Sequence, residues 1–142
     1  MRCLTLGTFD LLHPGHVHLL RQCRRLAGDH GEVIVGVNRD DFVERYKGHR
    51  PVMGEVERRF IVEQLPYVTR AIINTGDEYA GRIIEALGPG LLVIGADWRD
   101  RDYLGQLRVT VDDLDRWQIL GPVYVPLLAD HSSSRLRERA AS

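Results

Sequence analysis

Short β-branched runs alternate with helical runs along almost the whole chain, and this rhythm restricts the fold more than any other feature. Val33-Ile34-Val35-Gly36-Val37 is apolar without a break, the pattern of a strand buried on both faces. Leu4-Thr5-Leu6, Arg70-Ala71-Ile72-Ile73, Leu91-Leu92-Val93-Ile94 and Val123-Tyr124-Val125 supply four more strands. Helical periodicity fills the gaps between them. Gly15 to Ala27 places Leu19, Leu20, Cys23 and Leu26 on one face, and Glu55 to Leu65 is stopped by Pro66. Glu78 to Leu87 is stopped by Gly88-Pro89, and Ser132 to Ala140 closes the chain as a helix with serine at its start. A polar loop, Arg45 to Gly54, precedes the second helix. Strand and helix in strict succession predict a parallel sheet covered on both faces. Such sheets bind ligands at the carboxyl ends of their strands, near the point where strand order reverses.

Length and charge narrow the function classes. The 142 residues fit one domain, 1–142, and the 44% hydrophobic content is enough for one core. A net charge of -1 argues against a nucleic-acid coat or a polybasic membrane anchor. No apolar run is long enough to span a bilayer, and Arg2 leads directly into a strand-like segment rather than a leader. Cys3 and Cys23 sit in apolar-periodic contexts, which predicts buried reduced thiols and a cytoplasmic protein.

The segment Gly7-Thr8-Phe9-Asp10-Leu11-Leu12-His13-Pro14-Gly15-His16 joins the first strand to the first helix. Free N–H groups and the dipole favour an anion at such a helix start. Pro14 presets the first helical φ without wasting an N–H, and Gly15 lets phosphate oxygens approach the backbone. Two imidazoles three residues apart flank the position. Histidine donates to phosphate and can become cationic near neutral pH. A zinc pair is disfavoured because no cysteine or third histidine lies nearby to complete it.

These ten residues resemble the signature of the cytidylyltransferase-like nucleotidyltransferases, the glycerol-3-phosphate cytidylyltransferases in particular. Lys47-Gly48, Pro51-Val52, Glu57-Arg58-Arg59, Ile94-Gly95-Ala96-Asp97-Trp98 and Ser132-Ser133-Ser134-Arg135 follow in the family's order and approximate spacing. The resemblance implies a Rossmann-like three-layer α/β sandwich with a five-stranded parallel sheet, and a homodimer. It implies transfer of CMP from CTP to a phosphorylated small alcohol, with glycerol 3-phosphate the first acceptor to try and pyrophosphate released. His13, His16 and Lys47 would be catalytic. Gly7, Thr8, Phe9, His13, Gly15, His16, Asp97, Trp98, Ser132, Ser133 and Ser134 would bind the nucleotide. Lys47, Arg50 and Arg58 would meet the acceptor. Asp10 would either hold Mg²⁺ through water or cap the turn after the first strand. A cation near a helix start is disfavoured unless an anion lies there, so Arg58 and Arg59 point to a bound anion or to ion pairs with Glu55 or Glu63.

The chain departs from the glycerol-3-phosphate enzymes at one stretch. Their Arg-Thr-Glu-Gly reads Leu127-Leu128-Ala129-Asp130 here, followed by His131, and a lysine beside Lys47 is replaced by His49. Relatives that use ATP also lack the arginine. An adenylyltransferase acting on a sugar phosphate or on FMN is therefore the second reading, and a catalytically silent nucleotide-binding protein is the third. Tyr103 to Trp117 resembles an insertion, which either shapes the acceptor pocket or is a plain surface helix, the second being the leading reading.

Overall fold

The structure is a computed structural model, and it describes residues 1–76, 78–126 and 140, with the backbone alone at 78 and 79. Five parallel strands, β1 (Arg2–Gly7), β2 (Glu32–Asn38), β3 (Arg70–Asn74), β4 (Gly90–Gly95) and β5 (Ile119–Val125), form one sheet in the order β3-β2-β1-β4-β5. The helices are α1 (Pro14–Ala27), α2 (Asp40–Lys47), α3 (Glu55–Glu63), α4 (Glu78–Leu87), α5 (Tyr103–Gln106) and α6 (Val111–Arg116). The expected three-layer Rossmann-like sandwich is what forms. Strand order reverses between β1 and β4, so the carboxyl ends of those two strands frame the crevice.

Strand periodicity splits the core into two layers. Cys3, Val33, Val35, Val37, Ala71 and Val93 point to one face, where Leu20 and Cys23 of α1 and Val62 of α3 cover them. Leu4, Leu6, Ile34, Leu92 and Ile94 point to the other, where Ala80 and Ile84 of α4 pack. Alternate residues of each central strand thus enter different layers, which is why β2 reads as an unbroken apolar run. Both thiols are free and buried, and burial pushes Cys23 up to about 12, so neither is a nucleophile at neutral pH. Among the described residues, no helix is long and apolar enough to cross a membrane.

Three expectations are corrected. Residues 45–47 are the last turn of α2 rather than loop: Phe42 and Val43 anchor that helix inward, and Gly48 ends it at φ +83°. The 103–117 stretch is no plain surface helix. Tyr103, Leu107, Val109 and Leu114 complete the second core layer, and the Thr110–Asp113 capping box starts α6. β5 begins four residues early, at Ile119; it lies at the sheet edge, and Pro122 falls at the register shift between its pairs Leu120 and Val123 with β4. The helix expected over 132–140 lies outside the described residues, apart from Ala140.

Candidate active site

The segment after β1 is strained where the site begins. Phe9 and Leu11 hold φ +54° and +49°, left-handed conformations that cost a bulky residue about 1–3 kcal/mol each. Gly7 makes the turn possible, because a Cβ there would lie 2.9 Å from the Phe9 ring. Asp10, 1% exposed, sits between the two outliers. Its carboxylate accepts the N–H groups of Val52 and Met53 at 2.8 and 3.0 Å. The charge is therefore spent on the backbone of the loop before α3. Among the described residues, no three His, Cys, Asp or Glu side chains converge as metal ligands. Asp10 anchors the loop before α3.

His13 caps α1 from an extended backbone, and the two histidines close a reciprocal box. The Gly15 N–H donates to His13 Nδ1 at 3.0 Å, and the His13 N–H donates to His16 Nδ1 at 3.2 Å. An imidazole nitrogen that accepts carries no proton, so each neutral ring holds its proton on Nε2. The rings stack with centroids 3.7 Å apart, and the Phe9 ring lies 5.3 Å from His16. Burial first, then the charges of His13 and Lys47, hold the His16 pKa down to about 3. In the ligand-free protein His16 is thus a neutral Nε2–H donor, not the cation that its residue type permits.

That depressed pKa has a consequence for stability. The unfolded chain protonates residue 16 near pH 6.5 while the native protein resists until about 3, so native stability falls as pH drops through this window. Thermal unfolding between pH 7 and 4.5 should show a smaller fall for His16→Asn than for the wild type. Parallel curves would refute the buried-neutral assignment.

A cavity of about 430 Å³ opens at the carboxyl ends of β1, β2, β4 and β5. The structure brings Gly7, Thr8, Phe9, His13, Gly15, His16, Lys47, Asp97 and Trp98 together on its walls. Lys47 Nζ lies 5.7 Å from the centre of the Tyr46 ring. Asp97 stands at the exposed rim; partial desolvation raises its pKa, and Arg101 and Lys47 pull it back. Ser132, Ser133 and Ser134 lie outside the described residues, as does His131.

Two expected acceptor contacts point elsewhere. Arg50 is exposed and pairs with Glu44 at 2.6 Å, off the cavity wall. Arg58 is 1% exposed. It donates to Thr8 O at 2.6 Å, Met53 O at 2.9 Å and Asp40 Oδ1 at 2.5 Å. The guanidinium is a strut binding the end of β1, the loop before α3 and the start of α2, and it has no side-chain surface left for a ligand.

A polar chain missed by sequence reasoning crosses three strand ends. The Gly76 N–H fixes Asn74 Oδ1, Asn74 Nδ2 donates to Asn38 Oδ1 at 2.9 Å, and Asn38 Nδ2 faces Tyr46 Oη at 3.3 Å and Thr8 Oγ1 at 3.5 Å. The Thr8 and Tyr46 hydroxyls lie 2.9 Å apart. They carry two protons and share one bond, so among the described residues one O–H has no acceptor. The available signal was an asparagine directly after the last apolar residue of β2 and another after β3.

Residues 4–139 match the family described as Cytidylyltransferase-like. A FAD synthase of Korarchaeum cryptofilum is 34% identical over 97% of this chain and 90% of its own length. A FAD synthase of Aciduliprofundum boonei is 45% identical over 68% of this chain and 62% of its length. The bifunctional protein HldE of Helicobacter acinonychis is 40% identical over 71% of this chain but only 21% of its own length. The crystal structure of the lipopolysaccharide core biosynthesis protein from Thermoplasma volcanium superposes with a TM-score of 0.66 at 27% identity, covering 93% of this chain and 98% of that one. From the turn after β1 to the box at the start of α1, and across the whole matched length, the chain belongs to the cytidylyltransferase-like family of nucleotidyltransferases.

Proposed function

We propose that the protein transfers AMP from ATP to FMN and releases pyrophosphate. The observation that carries this reading is the match to a FAD synthase over nearly the full length of both chains. The leading expectation, CMP transfer to glycerol 3-phosphate, gives way to it. The nucleotide-contacting arginine of that group is missing before Ser132, and the relatives described above are named as FAD synthases and HldE.

The chemistry is an in-line displacement. A phosphate oxygen of the acceptor attacks the α-phosphorus, a new P–O bond forms, and the bond from the α-phosphorus to the bridging oxygen breaks. The protein's task is to align two anions and to stabilise charge as it moves to the leaving group. The Nε2–H groups of His13 and His16 are donors fixed in advance by the imidazole box at the start of α1. Because the box fixes both tautomers, these donors need no proton uptake to act. Lys47, on the same cavity wall, supplies a full positive charge where the acceptor phosphate meets the triphosphate.

A second reading, adenylylation of a sugar phosphate, is favoured by the 40% identity to HldE. The test crosses ATP and CTP with FMN, a sugar 1-phosphate and glycerol 3-phosphate, all with Mg²⁺, and measures pyrophosphate and product. FAD and pyrophosphate should appear with ATP and FMN alone. Pyrophosphate only with the sugar phosphate would establish the second reading, and pyrophosphate only with CTP would restore cytidylyl transfer. A protein that binds nucleotide yet releases nothing with any pair would be catalytically silent.

A further inference from the structure

Tyr103 opens α5 on the wall of the cavity that the two histidines also line, and the residue is 5% exposed. The Trp98 ring meets it edge-on, with centroids 5.2 Å apart at 61°. Its hydroxyl is closed to water and has no hydrogen-bond partner among the described residues. A buried hydroxyl in that state weakens the fold, since water satisfied it in the unfolded chain. A phenylalanine would fill the same space without that cost. Burial also raises the Tyr103 pKa far above that of an ordinary phenol, so the group keeps its proton and remains a donor at every working pH.

We infer that Tyr103 is a specificity-determining residue: its hydroxyl donates a hydrogen bond to a carbonyl oxygen or ring nitrogen on a planar heteroaromatic ring held against Trp98. The inference rests on the reading of this cavity as a nucleotide site. It goes beyond that reading by assigning ring recognition to a residue that takes no part in handling phosphate. Flat rings suit this wall, where Trp98 offers an aromatic surface and Tyr103 a directed proton. The hydroxyl is reached through the side-chain adjustment that commonly accompanies binding. Two sources carry such a ring, the base of the triphosphate and the ring system of the acceptor.

The experiment compares wild type with Tyr103→Phe by calorimetric titration of ATP, CTP, FMN and inorganic tripolyphosphate, together with the unfolding temperature of each ligand-free protein. One of the three ring-bearing ligands should bind the variant about tenfold more weakly, as the loss of one neutral hydrogen bond implies. Tripolyphosphate should bind both proteins within twofold, and the variant should melt at the same temperature or higher. The ligand that weakens identifies the source of the ring. Equal binding of all three ring ligands by both proteins overturns the inference, and so does a parallel loss for tripolyphosphate. The titration needs no turnover, so a protein that binds but makes no FAD fails the functional proposal alone. A wild type that binds none of the four ligands fails both.

Discussion

His16→Asn is expected to lower turnover by about 10²–10³-fold while triphosphate affinity changes only a few-fold. The substitution is chosen for its geometry. The Asn side-chain oxygen occupies the place of Nδ1 and still accepts the His13 N–H, which the ring meets at 3.2 Å. The Nε2–H donor has no counterpart in asparagine. Start-of-helix structure is thus kept while the outward donor is lost. The effect falls on turnover because that bond strengthens as charge builds during transfer. His16→Gln, whose amide nitrogen reaches toward the Nε2 position, should recover part of the loss. Single-turnover rates and nucleotide dissociation constants, measured together, decide the matter. Equal losses in affinity and rate would reduce His16 to a ground-state contact.

The largest effect on stability is expected at Arg58. Arg58→Met removes three hydrogen bonds and leaves Asp40 without its partner beneath the loop. Breaking one side of a buried ion pair costs about 3–5 kcal/mol, which in a domain of this size lowers the unfolding temperature by roughly 10–15 °C. Arg59→Met is the control. Arg59 is half exposed, with a 3.3 Å pair to Glu63 and one hydrogen bond to the Ala71 carbonyl at 3.0 Å; an exposed pair contributes about 0–1 kcal/mol and a neutral acceptor about 1 kcal/mol. If the two variants melted alike, the strut assignment would be wrong.

Arg58 also shows what a sequence can and cannot convey. The helix-dipole argument left open a bound anion or ion pairs with Glu55 or Glu63; Arg59 does pair with Glu63, while Arg58 pairs with Asp40, which no local pattern singled out. Asp10 teaches the same lesson. Its partners, Val52 and Met53, lie 42 and 43 residues away, a distance at which no local pattern operates. Features set by short-range periodicity were legible: the five strands, α1, α3, α4, and the histidine pair at the helix start. α2 escaped because only Phe42, Val43 and Tyr46 mark its inner face among charged neighbours. The 103–117 stretch was misread because its buried residues, Tyr103, Leu107, Val109 and Leu114, are spaced by four, two and five. That spacing fits neither helix nor strand, since two short helices and a turn share it.

The cross-links around Arg58 and Asp10 divide the cleft into a braced half and an adaptable half. On the braced half, the β1 terminus, the loop before α3 and the α2 start are tied through side chains with little solvent exposure. The part around Tyr103 rests on a four-residue helix and on a turn that includes Arg108 at φ +55°. Retargeting this scaffold to a new acceptor or base is therefore a matter of rebuilding residues 99–107.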